Sequence, residues 1–91
     1  MPTIELENLT SQIATYSSAE DNTLTISADL VQVIDELKII GFTIFQINRP
    51  EGMSIQAAIN TDLCDKLLIL SEELVEGARL ATITFSPFLE D

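Results

Sequence analysis

Ninety-one residues carry 15 Asp and Glu against 4 Lys and Arg, with no histidine, for a net charge of −11. That length allows one small domain without a second core, and the 46% hydrophobic content places the chain in the globular class. The field of so acidic a chain repels phosphate backbones and anionic lipid, so the expected partner is neither nucleic acid nor membrane.

A single cysteine, Cys64, leaves no internal disulfide and fits a reducing compartment. No apolar run approaches the roughly 20 residues of a membrane span, and the expected location is the cytoplasm. The whole chain, 1–91, reads as a single domain.

Residues 1–22 form an N-terminal extension that reads two ways. Thr3-Ile4-Glu5-Leu6 alternates as a strand does, and Leu9, Ile13 and Tyr16 have helical spacing. Gln12 to Ser17 also suits an extended segment paired with the next strand. The favoured expectation is a short strand followed by a helical or irregular stretch.

Thr23–Ser27 alternates polar and apolar, with Leu24 and Ile26 facing inward. Ala28 to Ile40 then turns helical, with Leu30, Val33, Ile34, Leu37 and Ile40 on one face. Ser27 is the expected N-cap and Gly41 the left-handed C-cap. Phe42–Asn48 and Met53–Asn60 read as two strands joined at a turn in Arg49-Pro50-Glu51-Gly52.

A second helix is expected from Thr61, its cap, to the stop at Gly77. Leu63, Cys64, Leu67, Leu68, Ser71, Leu74 and Val75 would form its apolar stripe. Leu80–Phe85 alternates again, with Ala81, Ile83 and Phe85 inward. Pro87 closes that strand, and 87–91 is a short acidic tail.

The order over residues 23–86 is strand, helix, strand, strand, helix, strand. It predicts an α+β, ferredoxin-like βαββαβ fold: a four-stranded antiparallel sheet with two helices on one face. The strand 80–85 would lie at one edge and 42–48 at the other. Thr25, Ser27, Phe45, Ile47, Gln56, Ala58, Thr82 and Thr84 would point to the open face. Leu6, Leu9 and Ile13 of the extension are expected to fold over Phe45 and Ile47. The other expectation is a homodimer through that second-strand edge or through the open sheet face.

The same topology sorts acids to two ends. Asp29, Glu51, Glu72, Glu73 and Glu76 gather at one, and Glu20, Asp21, Asp62, Asp65 and the tail acids at the other. Glu72-Glu73-Glu76 is unexpected on stability grounds, because the last turns of a helix favour cations. On the helical wheel Ile69 stands outward among Asp62, Asp65, Lys66, Glu73 and Glu76, like an interface anchor with a charged rim. Ile39 stands outward on the first helix.

No catalytic, cofactor or metal site is expected. The absence of histidine removes the usual triads and imidazole-ligated metals. Cys64, on the apolar stripe beside acids, reads as a structural thiol. The pairs Asp62/Asp65 and Glu72/Glu76 face solvent, whereas acid catalysis needs such groups in a cleft.

The leading expectation is a non-enzymatic, regulatory interaction module that binds a basic protein surface. Candidate contacts are Ile69, Glu72, Glu73, Glu76, Asp62, Asp65, Phe45 and Ile47. A sharper form is an inhibitor whose carboxylates imitate a nucleic-acid backbone, as in phage-type antagonists of nucleic-acid enzymes. The element order also resembles regulatory domains of the ACT type. That resemblance implies a small-molecule sensor, although Ser27-Ala28-Asp29 stands where such a domain opens its first helix with glycine.

Overall fold

The computed structural model describes residues 3–17, 23–48 and 54–86. Strand β1 (Thr3–Ile4) is followed by a 3-10 turn (Leu6–Asn8) that runs into helix α1 (Leu9–Ser17). Then come β2 (Thr23–Ile26), α2 (Leu30–Ile39), β3 (Thr43–Asn48), β4 (Ser54–Ile59), β5 (Leu67–Val75) and β6 (Ala78–Ser86). The class is α+β, with two helices and a mixed six-stranded sheet in the order β1-β2-β6-β5-β4-β3. β1 pairs with β2 in parallel, and every other pair is antiparallel.

This differs from the four-stranded, antiparallel ferredoxin-like expectation in strand number and order: β1 adds a parallel edge, 80–85 lies inside the sheet, and the expected second helix is replaced by a strand. Residues 67–75 form a strand, not the last turns of a second helix, and they insert between β6 and β4. Leu67, Leu68 and Leu70 are buried, and Ile69 is half-buried. Four consecutive apolar residues suit a central strand, which buries side chains on both faces. A helix would turn Ile69 to solvent.

The helix signal upstream is real but short. Asn60, not Thr61, caps a single turn: its Oδ1 accepts from the backbone N–H of Asp62 at 3.0 Å and of Leu63 at 3.3 Å. The Cys64 N–H donates to the Asn60 carbonyl at 2.9 Å, and the chain then straightens into β5.

The expected adjacency of 23–27 and 80–85 is observed as β2·β6, and the hairpin of the two middle strands as β3·β4. The strand 42–48 is indeed an edge strand, but the opposite edge is β1. The turn expected at 49–52 and the tail 87–91 lie outside the described residues.

Helix α2 begins two residues later than expected. The Ser27 N–H donates to the Ile4 carbonyl at 2.7 Å, which keeps Ser27 in extended pairing and leaves the cap to Asp29. Asp29 Oδ1 accepts from the Gln32 N–H at 2.9 Å, and Gln32 Oε1 accepts from the Asp29 N–H at 3.2 Å, a reciprocal capping box. The helix stops at Gly41, whose φ of 103° permits the closing bonds from Gly41 N–H to Lys38 O and from Phe42 N–H to Leu37 O.

Both helices pack on the same sheet face. Leu9 and Ile13 of α1 and Val33 and Leu37 of α2 share one buried cluster with Leu24, Ile26, Leu68, Leu70, Ile83 and Phe85. The N-terminal extension therefore does not cover Phe45, as expected above. It closes the helix side instead, where the Tyr16 ring stacks on Phe85 at 6.3 Å. Ala58, expected on the open face, is fully buried in this core because its register partners are Ile44 and Leu68. Gln56 is in register with the core residue Leu70, and Ser27 lies beyond the end of β2.

Leu70 and Leu74 test this strand assignment directly. In chemical denaturation, Leu70→Ala should lose about 2–5 kcal/mol as a core truncation. Leu74→Ala, exposed here but central to the alternative helical stripe, should change stability by no more than about 0.5 kcal/mol.

Candidate functional site

β5 and β6 pair along nine residues each, but their neighbours stop short. β4 pairs with Leu68–Leu70, and β2 with Ala81–Thr84. Beyond those points the two strands have no pairing partner among the described residues, and Ser71–Leu80 continues as a two-stranded arm. Its root is held where the Ala81 N–H donates to the Ala28 carbonyl at 2.9 Å.

The arm reverses at Glu76-Gly77, both at positive φ (50° and 85°). That is the geometry of the primed two-residue hairpin turns, which match the twist of antiparallel strands. Glycine meets it freely; glutamate at that φ costs about 1–2 kcal/mol. The expected helix stop at Gly77 is thus a hairpin turn.

Every residue from Ser71 to Arg79 is exposed. Leu74 is 73% and Val75 37% exposed, and successive strand residues put them on opposite faces of the tip. Glu72, Glu73 and Glu76 surround this apolar tip, with Arg79 the basic residue of the arm. Arg79 lies 3.8 Å from Glu72, an exposed pair worth at most about 1 kcal/mol. The Glu73 carboxylate accepts from the Thr82 hydroxyl at 2.9 Å.

The structure gathers Glu72, Glu73 and Glu76, and the start of α2 at Asp29 lies at the same end of the sheet. Asp62 and Asp65 stand exposed in the loop before β5, at its opposite end, about 25 Å away along a nine-residue strand. Ile69 is not ringed by acids. It sits on the sheet face turned away from the helices, in one cross-strand row with Thr84, Ala57 and Phe45. Phe45 is 39% exposed on the edge strand β3, where Ile47 is in register with Ile55.

Leu74 and Val75 are the exposed apolar residues that helical spacing concealed, because the same spacing assigned them to a core stripe. A Glu-Gly pair between two β-prone runs is the signal that locates them.

Cys64 is in the loop 60–66 rather than on a helix. It is buried, and its Sγ donates to the Lys66 carbonyl at 3.5 Å. Burial pushes its pKa up and the Asp65 charge adds to this, against the opposing hydrogen bond to Lys66. A shallow cleft between the 3-10 turn and α2 is lined by Glu5, Leu6, Glu7 and Glu36. Among the described residues no group of side chains is arranged to hold a metal ion, and no helix is long and apolar enough to cross a membrane. Comparison with family models, curated proteins and solved structures finds no match to this chain.

Two measurements follow from this geometry. Gly77→Ala should destabilise the hairpin by about 1–2 kcal/mol, while Glu76→Asn should stabilise it, since asparagine tolerates positive φ; thermal melts read both. The Cys64 thiol should alkylate at least about tenfold more slowly in the folded protein than in denaturant at pH 8. Its raised folded pKa means a stability contribution present below the ordinary thiol range and lost as pH climbs through the folded pKa. Wild type should therefore weaken from about pH 8.5 upward relative to Cys64→Ala.

Proposed function

We propose that this chain is a non-enzymatic interaction module that docks the β5–β6 arm onto a basic protein surface. The observation that carries this reading is the apolar tip of the arm. Leu74 is 73% exposed on a segment that buries nothing in the core, between Glu72 and Glu76. Core stability does not require residues 71–80 to extend past their neighbours. An exposed leucine rimmed by carboxylates has the anatomy of a contact patch, with an apolar anchor for affinity and charges for steering.

Asp62 and Asp65 belong to a separate acidic end and are not part of this contact. Imitation of a nucleic-acid backbone is a special case of the same reading, in which the basic surface is the channel of a nucleic-acid enzyme.

Affinity capture from the native host, with immobilised wild type and two variants, tests the proposal. A partner should be retained at about 0.05 M salt and released towards 0.5 M, as screening shortens the reach of the carboxylates. Leu74→Ser and the triple variant Glu72→Gln, Glu73→Gln, Glu76→Gln should each weaken that partner about tenfold or more (about 1.4 kcal/mol). Retention unchanged by both variants would refute the arm as the contact. A captured nucleic-acid enzyme that loses its substrate in competition would select the mimicry form.

A further inference from the structure

We propose that the outer edge of β5 in the arm, at Glu72 and Leu74, takes up an extended basic segment of the partner as an added strand. This deepens the reading of the arm as the contact and rests on it. The register decides which backbone groups are open. In an antiparallel ladder successive residues turn their N–H and C=O to opposite neighbours. The two-residue turn at Glu76-Gly77 makes Val75 and Ala78 the closing hydrogen-bonded pair. Val75, Glu73 and Ser71 therefore bond to β6, while Leu74, Glu72 and Leu70 turn outward.

The same alternation on β6 turns Arg79 and Ala81 outward, and the Ala81 N–H does leave the hairpin, donating to the Ala28 carbonyl at 2.9 Å. On the β5 side Leu70 is paired with Gln56, where the ladder with β4 ends. Glu72 and Leu74 follow with no strand beside them among the described residues, and both are exposed. Their N–H and C=O groups form an open edge.

Charge selects what can add there. Glu72 and Glu73 lie on opposite faces of the strand, with Glu76 at its end and Arg79 as the basic residue of the arm. Arg79 stands 3.8 Å from Glu72, and this exposed pair offsets that carboxylate only weakly. The Glu73 carboxylate accepts from the Thr82 hydroxyl at 2.9 Å, which keeps its charge beside the strand. A second copy would set its own acids against these, and like charges placed opposite each other oppose pairing. A basic segment meets them with opposite charge while its backbone satisfies the open edge.

Side chains then set the order of the incoming residues. Both neighbours of β5 run antiparallel to it. A segment adding in the same sense places two successive apolar residues opposite Val75 and Leu74, then two successive basic residues opposite Glu73 and Glu72. Leu74 and Val75, 73% and 37% exposed, each gain cover on their own face of the tip.

Titration of the whole isotope-labelled chain with a synthetic peptide, followed by amide NMR and hydrogen exchange, tests this. The peptide is threonine-valine-leucine-arginine-arginine-threonine, blocked at both ends. At saturation the amides of Glu72 and Leu74 should exchange at least about fivefold more slowly, while those of Glu73 and Val75, already bonded to β6, should change less than about twofold. N-methylation of the leucine and the second arginine removes the donors that face the edge and should weaken binding at least about tenfold. N-methylation of the valine and the first arginine, whose N–H groups face away, should leave affinity within about threefold. Those results support the added strand. Equal affinity for the two methylated peptides would overturn it and leave the arm as a contact through side chains alone, since charge and side chains are the same in both. Absence of binding up to about 1 mM peptide would also overturn it. The arm itself is decided separately, by capture of the native partner.

Discussion

The run Leu67–Leu70 is buried on both sides of a central strand, and the rest of the molecule is arranged around that burial. Leu68 and Leu70 face the helices, and Leu67 and Ile69 face away from them. Through these four residues β5 joins the β3–β4 hairpin to the β6-β2-β1 group. Without β5 those would be two small sheets, each too narrow to bury an amphipathic helix. With it, α2 spans from the end of β2 to the far edge strand and contacts β6, β5 and β3 on the way.

Placing β5 at the centre also shapes the surface. A strand long enough to leave the sheet must pair with something, and β6 accompanies it to Glu76-Gly77. The arm is the consequence. Its charges follow the same logic, since carboxylates are tolerated on strands once both faces are exposed, and are absent where the sheet is flanked by neighbours. The charged residues of the described strands, Glu72, Glu73 and Arg79, therefore all lie in the arm.

The loop 60–66 shows how a local signal is overruled. Asn60 caps one turn and also donates its Nδ2–H to the Ile40 carbonyl at 3.3 Å, tying the loop to the end of α2. A β-carbon on Gly41 would meet that same Nδ2 at 3.1 Å, so the close approach and the positive φ act on one glycine. Cys64, at the end of the same turn, is buried in the core. The helical start is genuine, but continuing it would take Leu68 and Leu70 out of the sheet.

The chain by itself determined β2, α2, the β3–β4 hairpin and β6, because in each a single hydrophobic period persists between clear caps or turns. It also determined the short strand and helical spacing near the N-terminus, the Gly41 cap, the exposure of Ile39 and the surplus of acid. Only the tertiary structure decided residues 61–77, where Leu63, Leu67, Leu68, Leu74 and Val75 satisfy a helical stripe as well as a four-residue buried strand. Periodicity cannot separate those over so short a run; the vacancy between β4 and β6 can, because backbone pairing on both sides rewards the extended form. With that choice went the candidate contacts. Glu72, Glu73 and Glu76 stay together in either form, since they are near neighbours in the chain. The setting of Ile69 and the exposure of Leu74 do not, because turning helix into strand changes which residues share a face.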